Sequence, residues 1–437
     1  MSNTKRAVCL FSSAGIGEQG IKSAGIEIAV SNELLEDRHN LYEANYPQTI
    51  CIQGDIREQK ENILSSYRSV SKESPFLLYA TPPCQGMSTN GQGRLLHEVK
   101  LGTRDKIDQR NRLIIPTIEI IKDLKPSWVL LENVPNMRNT VIFDDSDQPK
   151  NIVDFIFEEL GHEYVGKSEV ISCSDYGIPQ SRKRLITILT RDPNGIKYFN
   201  ENGGNFFPIS DKLNKITLRD AIGDFPPLDS KVGLNEDLGF HPLHRVPIMK
   251  NEKYWWVSNT PEGKTAFDNQ CVNPKCGYQF NDGHKDITNS ERPDNKYISP
   301  LYCEKCAELL PRPCTVGKDG KLRLIRGFHS AYRRMKWDVP GTTLTQNYHF
   351  ESSDNKVHPS QNRVLSMYEA CVLQTVADYN YNFKKDGTLI SQALFAQIIG
   401  ESVPPKLIEI ICELFRDISD QSLDSRNGQR QLKFEIS

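Results

Sequence analysis

Short apolar runs that alternate with helix-like stretches constrain this chain more than any other feature. Residues 7–11, 28–31, 76–80, 128–131 and 184–190 read as strands, while residues 34–46, stopped by Pro47, and 113–124, ending near Pro126, read as helices. Strands separated by helical stretches imply βαβ units, and a parallel sheet built from them is buried on both faces. The predicted fold class is α/β, with a doubly wound, Rossmann-like sheet. Ligands of such a sheet lie beyond the C-terminal ends of its strands, so the functional residues are expected to follow the apolar runs.

From about Phe225 the texture changes to Pro, Asn, Asp, Gly and Lys with two cysteine pairs, and periodicity fades until roughly Leu322. After His358, apolar residues return at helical spacing. The expected organisation is a catalytic domain over 1–224, a smaller irregular domain over 225–347 and C-terminal helices over 348–437 that complete the first domain. A length of 437 residues, 38% apolar and 25% charged, with a mean hydropathy of −0.52, excludes a wholly disordered chain. The apolar run before Ser12 is too short for a signal peptide, and no stretch approaches the roughly 20 apolar residues of a membrane span, so the chain reads as cytoplasmic, with no membrane partner.

The first strand leads into Phe11-Ser12-Ser13-Ala14-Gly15-Ile16-Gly17, and an acid, Glu33, ends the second strand about twenty residues later. That arrangement holds a nucleoside, the acid bonding ribose hydroxyls; the G-x-G-x-x-G dinucleotide pattern is not met, which favours a nucleoside without pyrophosphate. Gly54-Asp55-Ile56 places a second acid to meet an adenine amino group, with Ile56 packing on the ring. Each acid taken alone is as readily a solvated carboxylate.

Three polar groups then stand at strand ends. Thr81-Pro82-Pro83-Cys84-Gln85-Gly86 puts a thiol on a polar loop behind two rigid prolines, Glu132-Asn133-Val134 ends another strand, and Gln180-Ser181-Arg182-Lys183-Arg184 opens a third. A lone cysteine is usually inert packing, but these pieces together are what methylation of cytosine at ring carbon 5 requires. A Cys84 thiolate adds to carbon 6, Glu132 neutralises ring N3, and Arg182 or Arg184 holds the carboxylate or the base oxygen.

In order along the chain, these motifs resemble those of the DNA (cytosine-5-)methyltransferases of the stand-alone bacterial restriction-modification type. Phe11–Gly17, Ser31-Asn32-Glu33 and Gly54-Asp55-Ile56 resemble the cofactor contacts, Pro83-Cys84-Gln85 the nucleophile motif, Glu132-Asn133-Val134 the acid motif and Gln180–Arg184 the Q-x-R-x-R motif. Residues 333–345 resemble the segment that supports the target-recognition domain, and Gly400-Glu401-Ser402-Val403-Pro404-Pro405 the C-terminal G-N-S-V-P motif. The resemblance implies S-adenosyl-L-methionine as cofactor, bound by Phe11, Ser12, Ser13, Gly15, Gly17, Glu33, Leu34, Asp55, Ile56, Pro83 and Ser402. It also implies double-stranded DNA as partner, with the target cytosine flipped from the helix. Two departures stand out: Ser13 where the family usually has Gly, and Glu401 where it usually has Asn.

The net charge of −2 advertises no polyanion partner, so the basic charge must be local. Residues 321–336 supply it, with six cations and no acid. Arg323, Arg326, Arg333 and Arg334 are expected as phosphate or base contacts, with Gln85 and Ser88 on the thiol loop; a solvated basic face is the plain alternative. Cys271-x4-Cys276 and Cys303-x2-Cys306, separated by 26 residues, have the spacing of a closed, structural tetrahedral zinc site that would staple the irregular domain; Cys314 and His284 are candidate replacement ligands.

Three other readings remain open at this level. Thr81-Pro82-Pro83-Cys84 also resembles the loop of amino-methyltransferases, a tRNA cytosine-5 methyltransferase would share the catalytic parts, and a non-catalytic DNA-binding protein would share the scaffold. The first motif starts at residue 7, which suggests a monomeric modification enzyme without N-terminal regulatory domains, paired with a restriction endonuclease encoded nearby.

Overall fold

The computed structural model describes residues 4–83, 109–143, 149–208, 215–283, 299–325, 330–353, 355–385 and 387–422. The chain forms two compact units, one of Met1–Lys215, Asp378–Ile390 and Ser402–Ser437, the other of Ile216–Ala377 and Ser391–Glu401. The expected boundaries at 224 and 347 both fall inside the second unit.

In the first unit the chain runs β1 (Arg6–Leu10), α1 (Glu18–Ser23), β2 (Glu27–Glu33), α2 (Glu36–Asn45), β3 (Ile50–Gln53), α3 (Ile56–Val70), β4 (Leu77–Ala80), α4 (Ile114–Leu124) and β5 (Trp128–Asn133). It continues through a hairpin of β6 (Val141–Phe143) and β7 (Pro149–Asn151), then α5 (Ile152–Leu160), β8 (Val165–Ser172), β9 (Lys183–Thr190) and α6 (Pro193–Glu201). The second unit contributes α7 (Leu218–Ile222), α8 (Asn251–Ser258), the hairpin β10 (Cys314–Val316) and β11 (Leu322–Leu324), α9 (Met367–Leu373) and α10 (Gln392–Glu401), before the chain re-enters the first unit as α11 (Pro405–Ser419). No helix among the described residues is long and apolar enough to cross a membrane.

Seven strands form the main sheet in the order β3-β2-β1-β4-β5-β9-β8. The first five are parallel, but β9 runs antiparallel to both β5 and β8, so the sheet is mostly rather than wholly parallel. The reason lies in the connection: ten residues separate β8 from β9, fewer than a parallel crossover needs. β8 carries no apolar run to mark it in the sequence, because it is an edge strand and nearly all its residues are only half-buried.

Period-two alternation divides each inner strand between two cores. Ala7 and Cys9 of β1 join α1 and α11 on one face, while Val8 and Leu10 join α3, α4 and α5 on the other. Strand order reverses around β1, which lies between β2 and β4, so the ends of β1 and β4 flank the topological switch point where such sheets bind ligands. The C-terminal helix closes this unit. Trp128 stacks on Phe415 of α11 with centroids 4.3 Å apart and donates from Nε1 to Ser419 Oγ at 2.9 Å.

The second unit, poor in apolar periodicity, is held by buried polar groups. Ser366 caps α9 in a capping box with Glu369, whose carboxylate also receives both terminal nitrogens of the fully buried Arg363 at 2.6 and 2.7 Å. Burial would raise the Glu369 carboxyl, but the Arg363 charge and its hydrogen bonds prevail and hold it at about 2.

Helices α1 and α11 meet at Gly20, where an added Cβ would lie 2.2 Å from the Pro405 carbonyl oxygen and 2.6 Å from the Glu409 nitrogen. Backbone cannot yield as a flexible side chain does. Gly20→Ala is therefore expected to destabilise the protein by roughly 1–3 kcal/mol, seen as a lowered thermal midpoint; an unchanged midpoint would show that the two helices are not in contact.

Candidate active site and metal centre

The turn after β1 is wound tightly, with φ of +58° at Phe11, +47° at Ser13 and +76° at Gly15. Ser13, at the position where a glycine was expected, thus adopts a backbone that glycine tolerates best. The turn is gripped from several sides. Glu33 accepts from the Ser13 N–H at 2.7 Å and the Leu35 N–H at 2.9 Å, while the hydroxyls of Tyr381 and Tyr46 donate to the Ala14 and Gly15 carbonyls, each at 2.5 Å. A Cβ at Gly15 would strike the rings of Tyr46 and Tyr42 at 2.5 and 2.7 Å.

With those carbonyls tied back, the N–H groups of Ala14, Ile16 and Gly17 have no partner among the described residues. A run of unpaired donors in a turn with a left-handed residue is a nest for an anion such as an amino-acid carboxylate. On the neighbouring strands, Asn32 donates to the Ile52 and Gly54 carbonyls at 3.0 and 3.1 Å and ties the ends of β2 and β3 together. Leu34 is 57% exposed beside Glu33.

Asp55 caps α3 by accepting from the Arg57 N–H and pairs with the Arg57 guanidinium, whose hydrogen bond holds the carboxyl below its usual range. Ile56 differs from expectation. It is 2% exposed in the core between the sheet and α3, so its side chain completes that core and offers no face to a ring.

Across the switch point, Thr81 donates from Oγ1 to the Phe11 carbonyl at 2.9 Å and Asn133 donates to the Pro82 carbonyl at 3.1 Å. The arm that leads through Pro83 to the thiol is therefore anchored to the turn after β1 and to the end of β5. Asn133 was not singled out from the sequence, although it sits inside the acid motif. Cys84, Gln85 and Ser88 lie outside the described residues.

Antiparallel register sets Glu132 and Asn133 of β5 opposite Ile186 and Leu185 of β9, which brings the start of β9 beside the end of β5. Arg184 Nε consequently meets Glu132 Oε1 at 2.6 Å, with both side chains nearly buried. Burial raises the Glu132 carboxyl above its ordinary value, against the opposing pull of Arg184 and Arg182. Arg182 is fully buried, and desolvation together with the neighbouring Arg184 charge lowers it to about 9. A buried carboxyl biased toward its protonated form, oriented by a guanidinium at the mouth of a doubly wound sheet, is suited to proton donation.

The family model described as C-5 cytosine-specific DNA methylase matches residues 6–416. The chain belongs to that family. The Type II methyltransferase M1.HgaI of Avibacterium volantium is 32% identical over 95% of this chain and 100% of its own length, and M1.HphI of Haemophilus parahaemolyticus is 26% identical over 92% and 84%. A crystal structure of a DNA modification methyltransferase encoded within an E. coli prophage superposes with a TM-score of 0.58 at 16% identity, covering 95% of this chain and 100% of that one, and so shares the fold.

In the second unit of this DNA cytosine methyltransferase, Cys271, Cys276, Cys303 and Cys306 bring their four Sγ atoms within 4.8 Å of one another. Cys271 and Cys306 are 3.6 Å apart and Cys276 and Cys303 3.8 Å, close to the roughly 3.8 Å that a tetrahedral ion with about 2.3 Å bonds imposes. The residue after the second cysteine is left-handed in both pairs, Gly277 at φ +59° and Ala307 at +58°, so the two turns are alike. Cys314 lies on β10 and packs with Trp256 and Tyr332 instead of joining the four thiols, and His284 lies outside the described residues.

The basic stretch does not present one continuous face. Arg323 is exposed on β11 and paired with Asp319 at 2.7 Å, Arg333 is half-buried, and Arg326 lies outside the described residues. Arg334 corrects the sequence reading outright. It is 4% exposed, and its guanidinium donates to the carbonyls of Val257, Thr260, His358 and Gln361 and to Asn362 Oδ1, so no donor is left to face a phosphate. A cluster of cations in sequence does not reveal which one the backbone consumes.

Glu401, the second departure, accepts from Gln346 Nε2 at 2.9 Å, and Gly400 admits the Gln346 backbone where a Cβ would overlap it. Ser402 follows, half-buried in the turn before α11. Arg334→Met is expected to cost roughly 2–5 kcal/mol by stranding buried carbonyls, whereas Arg323→Ala should leave stability within about 1 kcal/mol and weaken DNA binding. Melting curves and DNA titrations on both variants separate the two roles, and equal losses of stability would contradict them.

Proposed function

We propose that this enzyme transfers a methyl group from S-adenosyl-L-methionine to carbon 5 of a flipped cytosine in a specific duplex DNA sequence, through a covalent bond to Cys84, as the modification partner of a restriction endonuclease. The observation that carries the reading is the Glu132–Arg184 pair beside the anchored Thr81-Pro82-Pro83 arm. Family membership and the Type II relatives supply the DNA substrate class and the restriction-modification setting.

The donor set around the first turn suits the cofactor. The N–H groups of Ala14, Ile16 and Gly17 would take its carboxylate, Glu33 its ribose hydroxyls and Leu34 one face of its base, with Asp55, Pro83 and Ser402 around the same pocket. When bound, S-adenosyl-L-methionine supplies an electrophilic methyl group on a sulfonium. The chain's own residues make carbon 5 of cytosine nucleophilic enough to take it.

In this reading the Cys84 thiolate adds to carbon 6 while Glu132, its carboxyl raised by burial, gives a proton to N3 and accepts from the exocyclic amine. Arg184 fixes the Glu132 carboxyl, and Arg182 beneath adds positive potential for the thiolate and the base oxygen. Once carbon 5 carries the methyl group, its proton leaves, Cys84 is eliminated and the ring regains aromaticity. Gln85, Ser88, Arg323, Arg326 and Arg333 are the candidate DNA contacts.

A duplex with 5-fluorocytosine at the target carries no removable proton on carbon 5, so it should trap a covalent adduct at Cys84 in the presence of the methyl donor, visible by mass spectrometry. Cys84→Ala should bind DNA and form no adduct. An active preparation that yields 5-methylcytosine but never the adduct would overturn the covalent route, and a product methylated on the exocyclic amine would overturn the site of transfer. Bisulfite sequencing of DNA from expressing cells reports the recognition sequence.

The four thiols fit a closed structural zinc site, which would stabilise the small cluster of Cys271, Cys303 and Leu310 around them. Purified protein should contain about one zinc per chain, and Cys303→Ser should lose it and melt earlier. A metal-free protein with the same melting behaviour would remove the zinc from this reading.

A further inference from the structure

Glu18 is a buried acid that the mechanism above does not use. It opens α1 immediately behind the glycine-rich turn and is 2% exposed, and its Oε1 and the Oγ of Ser12 are both buried without a hydrogen-bond partner. No Lys or Arg among the described residues pairs with it. The titratable groups around it are acidic or neutral: Cys9 on β1, Glu33 on β2, Tyr42 on α2 and Tyr46 just after it, and Tyr79 on β4, with Cys412 of α11 near Cys9. Lys22 of α1 lies over the Tyr46 ring at 5.9 Å.

Two carboxyls thus lie at one short turn, Glu33 bonded to the Ser13 N–H and Glu18 buried immediately behind it. Without a cation they cannot comfortably share charge. Burial, reinforced by the charge of Glu33 and only partly offset by its own N–H and the nearby Ser12 hydroxyl, raises the Glu18 carboxyl to about 8. The methyl donor is a net cation, since its sulfonium and ammonium outweigh one carboxylate; the demethylated product, S-adenosyl-L-homocysteine, is a thioether with no net charge.

We propose that Glu18 is a positioning residue that senses cofactor charge: neutral before binding, it ionises beneath the turn when the cationic donor arrives and takes its proton back when the thioether product forms. The step balances simply, Glu18 carboxyl giving carboxylate plus one proton to solvent, with no other bond changed. Donor is thereby favoured over product at the same turn, and loss of the sulfonium charge promotes product release. The inference rests on S-adenosyl-L-methionine being the cofactor.

Titration calorimetry at pH 7 in two buffers of different ionisation enthalpy counts the protons released. Wild type should release about one proton more with S-adenosyl-L-methionine than with S-adenosyl-L-homocysteine, and Glu18→Gln should abolish that excess. The ligands' own amino groups titrate in both proteins and cancel in the comparison. Because donor binding favours the ionised form, wild-type donor affinity should rise up to about tenfold per pH unit from pH 6 and level off near 8, while Glu18→Gln lacks this rise.

Equal proton counts for the two ligands in wild type would overturn the proposal without recourse to a variant that folds. Absence of any donor binding would overturn the cofactor reading itself, a result distinct from binding with equal counts.

Discussion

One antiparallel strand pairing underlies the candidate active site. Because β9 runs against β5, its first residues lie beside the last residues of β5, and the Arg184 guanidinium meets the Glu132 carboxylate. In a parallel arrangement the start of β9 would sit at the opposite end of the sheet. Burial then gives the pair its chemical character, since it raises the carboxyl while the cation fixes its orientation. Asn133, one residue on, links the same strand end to the arm that carries the thiol. Acid, cation and arm are therefore positioned by strands, which move less than loops.

The turn after β1 shows a different economy. Its left-handed residues, two of them not glycine, are tolerated because Glu33, Tyr46 and Tyr381 over-determine its path from three separate segments. The hydroxyls take up its carbonyls, while the N–H groups of Ala14, Ile16 and Gly17 have no partner among the described residues. The same crowding leaves Glu18 buried behind it with no Lys or Arg paired to it among the described residues.

The second unit joins small apolar clusters through an unusual set of buried polar bonds. Arg334 gathers carbonyls from several segments, Arg363 and Glu369 form a fully buried pair tied to a helix cap, and four thiols converge at the cysteine turns. Such interactions are unforgiving when one partner is removed, since a buried group is left uncompensated. They do impose a unique arrangement on a stretch whose sequence has little hydrophobic pattern.

Much of the fold was legible in the residues themselves. Apolar runs buried on both faces announce strands, so β1, β2, β4, β5 and β9 and the helices ending at Leu124 and near Tyr46 were readable, as were the cysteine pairs, the Glu132 motif and the family order. β8 escaped notice because a half-buried edge strand needs no apolar run. The antiparallel course of β9, the grip of Tyr381 on a turn more than three hundred residues earlier, the loss of Ile56 to the core and the burial of Arg334 were settled by tertiary structure alone. Local sequence determines which residues must leave water and which chemistry they carry. Only the folded chain decides which partner each buried polar group finds, because those partners come from distant segments and the sequence has no periodicity that encodes them.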